Sequence, residues 1–276
     1  MPLLGEGALV IWNDVAPGSE REFDRWHIKE HMTERLAVPG FLRGRRYTAD
    51  ADQPRYFTLY ETASVATLGS PPYLARLNDP TPWSRELFPL WRHTTRAACC
   101  VTASMGQGIG GCVATVELGP EPQRDEELRG WLTELVLPRL VEHQDVVGAH
   151  LCEADAAVSQ IATEEKRDRG GSDEMVRWVV LVEGSGAEPV AAVCHEFLAT
   201  ELLRQHGGSA GWSGIYRLAY ALAAPMGRRS QRGGQRGTER AACVPNERAM
   251  LSGYEELVLP GGADEGVPLD DRGRSP

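Results

Sequence analysis

The chain has 276 residues, with 29 Lys and Arg against 39 Asp and Glu and a formal net charge of −10. That length suits two ordinary domains, and the acidic balance excludes a global basic field for nucleic acid or anionic lipid. No run of eighteen apolar residues occurs and the start lacks a signal-peptide pattern, so no membrane partner and a cytoplasmic location are expected.

In chain order, an apolar strand over 7–13 leads into a helical pattern over 18–36 that carries Trp26 and ends near Pro39-Gly40. Strands rich in β-branched and aromatic residues follow at 41–49 and 55–62. A second helical region, 63–77, is interrupted by Pro71 and Pro72 and followed by the Pro-rich stretch 79–83. A strand over 94–103 closes the set. The order then repeats, with strands at 111–118, 146–153, 176–183 and 215–223 and helices at 123–142 and 189–205.

Four landmarks carry the repeat. Arg55 to Glu61 recurs as Arg177 to Glu183, Trp26 as Trp131, and the Trp91–Arg96 pair as Trp212–Arg217, and each Trp-bearing helix follows an apolar strand. Each copy therefore reads βαββαβ, the ferredoxin-like split unit, whose uncovered sheet face needs a partner. The expected fold class is α+β, a tandem duplication folded as an intramolecular dimeric α+β barrel. Its units are 1–105 and 109–225. The glycine-rich stretch 104–111 reads as a flexible linker, 153–173 as a mobile charged loop and 226–276 as a disordered tail. The six cysteines fit neither a zinc ribbon nor a disulfide framework.

The runs Phe23 to His31, Val38-Pro39-Gly40-Phe41 and Arg45-Arg46-Tyr47 resemble the dimeric α+β barrel superfamily, nearest its EthD-like and duplicated members. The resemblance implies the fold strongly. It implies activity weakly, because related barrels include cofactor-free monooxygenases, cyclases, lactone isomerases, dehydratases and haem enzymes. The second copy has Val136 where the family's histidine would stand.

The duplication also acts as an internal control. Aligning Trp26 with Trp131 sets His27 opposite Leu132, Glu30 opposite Leu135 and His31 opposite Val136. Leu128, Trp131, Leu132 and Leu135, with Val136 at the edge, form one apolar stripe with i, i+3, i+4, i+7 spacing. By the same geometry His27, Glu30 and His31 point inward, where unpaired polar groups are costly. His31 is the first choice for an acid–base group, with Glu30 or His27 orienting it. Trp26, Asn13, Tyr47, Tyr60 and His93 are the substrate-binding candidates.

The same letters, His27-Ile28-Lys29-Glu30-His31, match the inverted zinc motif H-x-x-E-H, but no third acidic ligand follows at a fitting place. No metal and no cofactor are expected. The leading reading is a lyase, isomerase or cyclase acting on an aromatic or carbonyl compound. The alternatives are a cofactor-independent monooxygenase, haem binding through His31 or His93, and a non-catalytic binding protein. The expected partner is a small molecule, with homo-oligomers compatible through exposed sheet edges.

Overall fold

A computed structural model describes residues 3–49, 54–171 and 173–225; the expectation of a disordered tail over 226–276 lies outside them. The described residues form eight strands: β1 (Gly7–Val15), β2 (Phe41–Ala49), β3 (Tyr56–Thr62), β4 (Trp91–Gly106), β5 (Cys112–Pro120), β6 (Val146–Ala154), β7 (Trp178–Gly184) and β8 (Gly208–Ala223). They close into one antiparallel barrel in the order β1-β3-β2-β8-β5-β7-β6-β4. Each half contributes a four-stranded sheet with its first and third strands central.

Closure depends on two long strands. β4 pairs with β1 and then runs on to pair with β6, and β8 pairs with β5 and then with β2. β4 thus continues to Gly106, through the start of the expected linker. A closed barrel has no open sheet edge, which corrects the expected route to oligomers through exposed edges. No helix of the described residues is long and apolar enough to cross a membrane.

The barrel interior is apolar, with Val10, Trp12, Phe57, Leu59, Val179 and Leu181 among its side chains. Into it is set a buried charge network. Arg45 is completely buried, with Glu61 Oε1 at 3.0 Å and Glu183 Oε1 at 2.7 Å. Arg43 makes two hydrogen bonds to Glu61, at 2.7 and 2.8 Å. His150 Nε2 lies 3.1 Å from Glu183, and its Nδ1 lies 2.8 Å from Ser104 Oγ. Burial alone would raise the Glu183 carboxyl, but the His150 hydrogen bond and the Arg45 charge outweigh it and hold it at about 2. Arg43 and Arg45 of β2 thus hold the carboxylates of the recurring segment, and Arg177 pairs with Asp125. Replacing Arg45 with Met is expected to cost about 3–5 kcal/mol, because two buried carboxylates lose their shared cation. A urea denaturation midpoint measures it.

Helices cover the outer face. In the first half, α1 (Glu20–Trp26) and α2 (Met32–Leu36) are joined by a π-helical turn over His27–His31. In the second half, α5 (Asp125–Trp131) and α6 (Leu137–Glu142) are joined by a π turn over Leu132–Val136. The Met32 N–H reaches the His27 carbonyl and the Leu137 N–H reaches that of Leu132, the i to i+5 pattern of this rare turn. Both turns occupy the positions that the Trp26–Trp131 alignment makes equivalent.

The first helix ends in the Pro39-Gly40-Phe41 turn. Gly40 sits at φ +94°, open to glycine and strained for other residues. Its carbonyl accepts the Ala63 N–H at 2.8 Å, tying the helix end to the end of β3.

The regions expected to be irregular are ordered. Pro71 and Pro72 open α3 (Pro71–Asn78) instead of breaking a helix, and Pro82 opens α4 (Pro82–Leu87), which is capped by Thr81. The charged loop holds two short helices, α7 (Ala156–Ser159) and α8 (Glu164–Asp168), packed against the first half; α9 (Ala187–Phe197) and α10 (Thr200–Gln205) complete the second. One landmark of the repeat is displaced. Arg96 pairs with Ile11, whose counterpart Val116 pairs with Ser213, so Arg217 is not the equivalent of Arg96.

Candidate functional site

The two helix-on-sheet layers have the same backbone plan and opposite chemistry. In the second half Leu118, Leu132, Val136, Leu140, Leu151, Val180 and Val182 form part of one buried apolar cluster. The positions equivalent in strand register and helix phase in the first half are Asn13, His27, His31, Arg35, Arg46, Thr58 and Tyr60. All seven are buried. The second half shows that aliphatic side chains suffice to seat this helix on this sheet.

His27 and His31 face the sheet, with ring centroids 5.3 Å apart. His31 packs at a tilt against Trp26, ring centroids 4.2 Å apart, and meets Phe88 edge-on at 6.4 Å. Its Nδ1 is buried and has no hydrogen-bond partner. His27 Nδ1 lies 2.5 Å from the hydroxyl of Tyr220, which also reaches the His27 carbonyl at 3.0 Å. Both contacts are satisfied when the imidazole donates from Nδ1 to the phenol and the phenol donates to the carbonyl. Burial pushes both imidazoles well below their usual 6.5. The Arg46 charge, then Arg35, adds to this at His27, and Arg35, then His27, at His31. Both are therefore neutral at pH 7.

Glu30 does not join them. It is half-buried and accepts a hydrogen bond of 2.5 Å from the Thr81 hydroxyl, with Ser84 Oγ at 3.5 Å. Leu135, its equivalent, is 44% exposed. The π turn has one residue more than an α turn, so it rotates position 30 out of the stripe and brings Met32 in, fully buried. The letters H-x-x-E-H consequently do not converge as a metal triad would.

The substrate-binding candidates divide. Trp26 lies in the layer with its Nε1–H donating to Ser84 Oγ at 3.1 Å. Tyr60 also lies there, its hydroxyl buried without a hydrogen-bond partner and pushed far up by burial. Asn13 sits opposite Tyr56 on β3, with its Oδ1 unpartnered. Tyr47 belongs to the barrel interior, on the opposite face of the sheet. His93 is exposed at a strained φ of 50°, its Nδ1 3.0 Å from Asp14. The structure does not bring these two to the histidine pair.

Three residues that sequence comparison overlooked complete the layer. Arg35, one turn beyond His31, stands where the second half has Leu140. Arg46, opposite Thr58 at 3.1 Å, stacks on Tyr56 at 3.9 Å and on Phe23 at 4.8 Å, and stands where the second half has Leu151. Tyr220 arrives on the part of β8 that crosses to β2, opposite Arg46. The first two were readable by extending the residue-by-residue comparison. The larger cavities described, of about 430 and 560 Å³, lie elsewhere: one beside α9 and α10, the other by the connection after β4.

The sequence matches no family model and no curated protein. Solved structures do match the fold. An anthrone oxidase-like protein superposes with a TM-score of 0.50 at 12% identity, covering 79% of this chain and 93% of its own. A monooxygenase-like protein from Lactobacillus acidophilus gives 0.50 at 7% identity, covering 79% and 97%. The closed eight-stranded barrel, the paired ferredoxin-like sheets and these likenesses together show that the chain has the dimeric α+β barrel fold, with both halves supplied by one polypeptide.

Proposed function

We propose that the first unit, 1–105, is a small-molecule acid–base site in which neutral His31 takes a proton from a bound aromatic or carbonyl compound. The second unit, 109–225, supplies the rest of the barrel and Tyr220. The observation that carries this reading is the layer comparison: seven buried polar residues stand where the sister layer is aliphatic, and several of their polar atoms are unpartnered. An unpartnered buried polar group costs about 1–3 kcal/mol, and such cost concentrates where function uses it. Buried Trp26, Phe88 and Tyr60 give the layer its aromatic character, matched to a flat substrate. His31 accepts the proton on Nδ1 and returns it to another atom of the substrate, so a lyase, isomerase or cyclase step needs no further reagent. His27, held by Tyr220, is a positioning residue.

Exchange of deuterium from heavy water into aromatic ketones and phenols, followed by proton NMR, tests the proposal. The wild-type chain is expected to catalyse exchange at an acidic position of at least one such compound. A panel left unexchanged by wild-type protein counts against it. Tyr220→Phe is expected to lower the exchange rate about tenfold or more, to shift its pH profile and to cost about 1–3 kcal/mol of stability, because the buried His27 Nδ1 and carbonyl lose their partner.

A second reading, cofactor-independent oxygenation, begins with the same proton abstraction and is supported by the names of the anthrone oxidase-like and monooxygenase-like neighbours. Oxygen uptake with phenolic substrates separates the two.

A further inference from the structure

The segment 155–177, between β6 and β7, has only 50–55 as its first-half counterpart, and it reaches across to the histidine layer. There Glu165 of α8 pairs with Arg35 and Arg169, both nearly fully buried. Arg169 also pairs with Asp173 at 2.6 Å and lies over the Trp91 ring at 5.2 Å. Arg35 is four residues beyond His31 on the same helix face, and its charge is the largest acting on both His31 and Tyr60. Its Nη1 has no hydrogen-bond partner, with Glu34 at 3.8 Å. Packing does not demand this guanidinium, since the second half fills the place with Leu140.

We propose that Arg35 is the anion-binding group of the site, and that Glu165 occupies it in the closed state as a stand-in for the carboxylate of an aromatic carboxylate substrate. The proposal rests on the reading of the first-half layer as a substrate site and names the substrate's class. A planar guanidinium matches a carboxylate by paired hydrogen bonds, and a ligand so held would present its ring to Trp26 and His31. In the closed state there is no room for it. Arg35, His31 and Trp26 are all buried, and the neighbouring cavity behind Glu165, lined by Arg169, Leu77 and Val158 and reaching none of the three, holds about 10 Å³, the space of one water. The ligand's carboxylate therefore displaces Glu165, and α8 lifts. Exchanging one carboxylate for another keeps the buried charge balanced on Arg35 throughout, which a neutral ligand does not.

Isothermal titration calorimetry with benzoate, and with benzamide as its uncharged analogue, tests this on the full chain. Glu165→Gln is expected to bind benzoate at least tenfold more tightly than wild type, Arg35→Gln not measurably, and benzamide is expected to bind none of them. The proposal is overturned by equal benzoate affinity in wild type and Glu165→Gln, by benzamide binding as well as benzoate, or by no benzoate binding in either protein. Because removing a buried charge can impair folding, a second variant leaves the cluster intact. The Glu164 N–H donates to Asn78 Oδ1 at 3.0 Å, so Asn78→Cys with Glu164→Cys is placed to tie α8 to α3 by a disulfide. Oxidised, this variant is expected to lose benzoate binding, and reduced to regain it, with wild type treated identically. Equal binding in the two states also overturns the proposal. Binding that depends on Arg35, together with normal proton exchange after His31→Val, would sink the acid–base reading and leave the anion subsite standing. Exchange that requires His31, with benzoate binding indifferent to Arg35, would do the reverse.

Discussion

His31→Val is expected to lower turnover by about 10²–10⁴-fold, the usual contribution of a positioned general base, while stability moves by no more than about 1 kcal/mol. Two effects oppose each other in the folded state. The smaller side chain gives up packing against Trp26 and Phe88, a loss on the order of 1–3 kcal/mol. It also removes a buried nitrogen without a partner, which returns about 1–3 kcal/mol. Valine is the residue that the sister layer uses at this position, Val136, fully compatible with the same π turn. Steady-state kinetics on the substrate found by exchange, beside a urea titration, give both numbers. A variant that loses several kcal/mol of stability would make His31 a structural residue, and one that keeps full turnover would remove it from the chemistry.

Acidification gives the second large effect. Both imidazoles are held well below 6.5 in the fold, first by burial and then by neighbouring positive charge. The unfolded chain therefore binds protons as the pH falls through about 6.5 that the native chain refuses. The sign follows: stability from these groups is complete above that pH and is lost below it, down to the depressed native values. The slope approaches about 1.4 kcal/mol per pH unit for each histidine, or about 2.7 for the pair. Urea midpoints at pH 7.5, 6.0 and 5.0 measure this loss, and His27→Leu/His31→Val is expected to flatten it. An equal slope in the double variant would assign acid sensitivity to other groups.

Much of this was legible in the letters. The βαββαβ order appears in both halves because alternation and helical spacing report which residues meet a sheet. The inward turn of His27 and His31 followed from Leu132 and Val136, since equivalent backbones bury equivalent positions. Glu30 was misplaced because a π turn leaves no compositional mark, and one additional residue per turn carries position 30 off the stripe. Tyr220 was invisible, because its place depends on pairing between β8 and β2, strands far apart in the chain. The helices α7 and α8 are four and five residues long, too short to show a period, so charge alone suggested a loop. Tyr47 and Tyr60 looked alike as tyrosines on strands, but they stand on different strands, β2 and β3, whose pairing register sends Tyr47 into the barrel and Tyr60 into the histidine layer.

The network around Arg45 carries a last consequence. One guanidinium serves Glu61 from its own half and Glu183 from the other, while its equivalent, His150, serves Glu183. Two identical subunits cannot produce that inequality. A pair of second halves would bring Glu183 to Glu183 with only imidazoles for company, and a pair of first halves would double the guanidiniums. Fragments cut at the connection after β4 should accordingly self-sort into mixed partners, each half having become specific for the other.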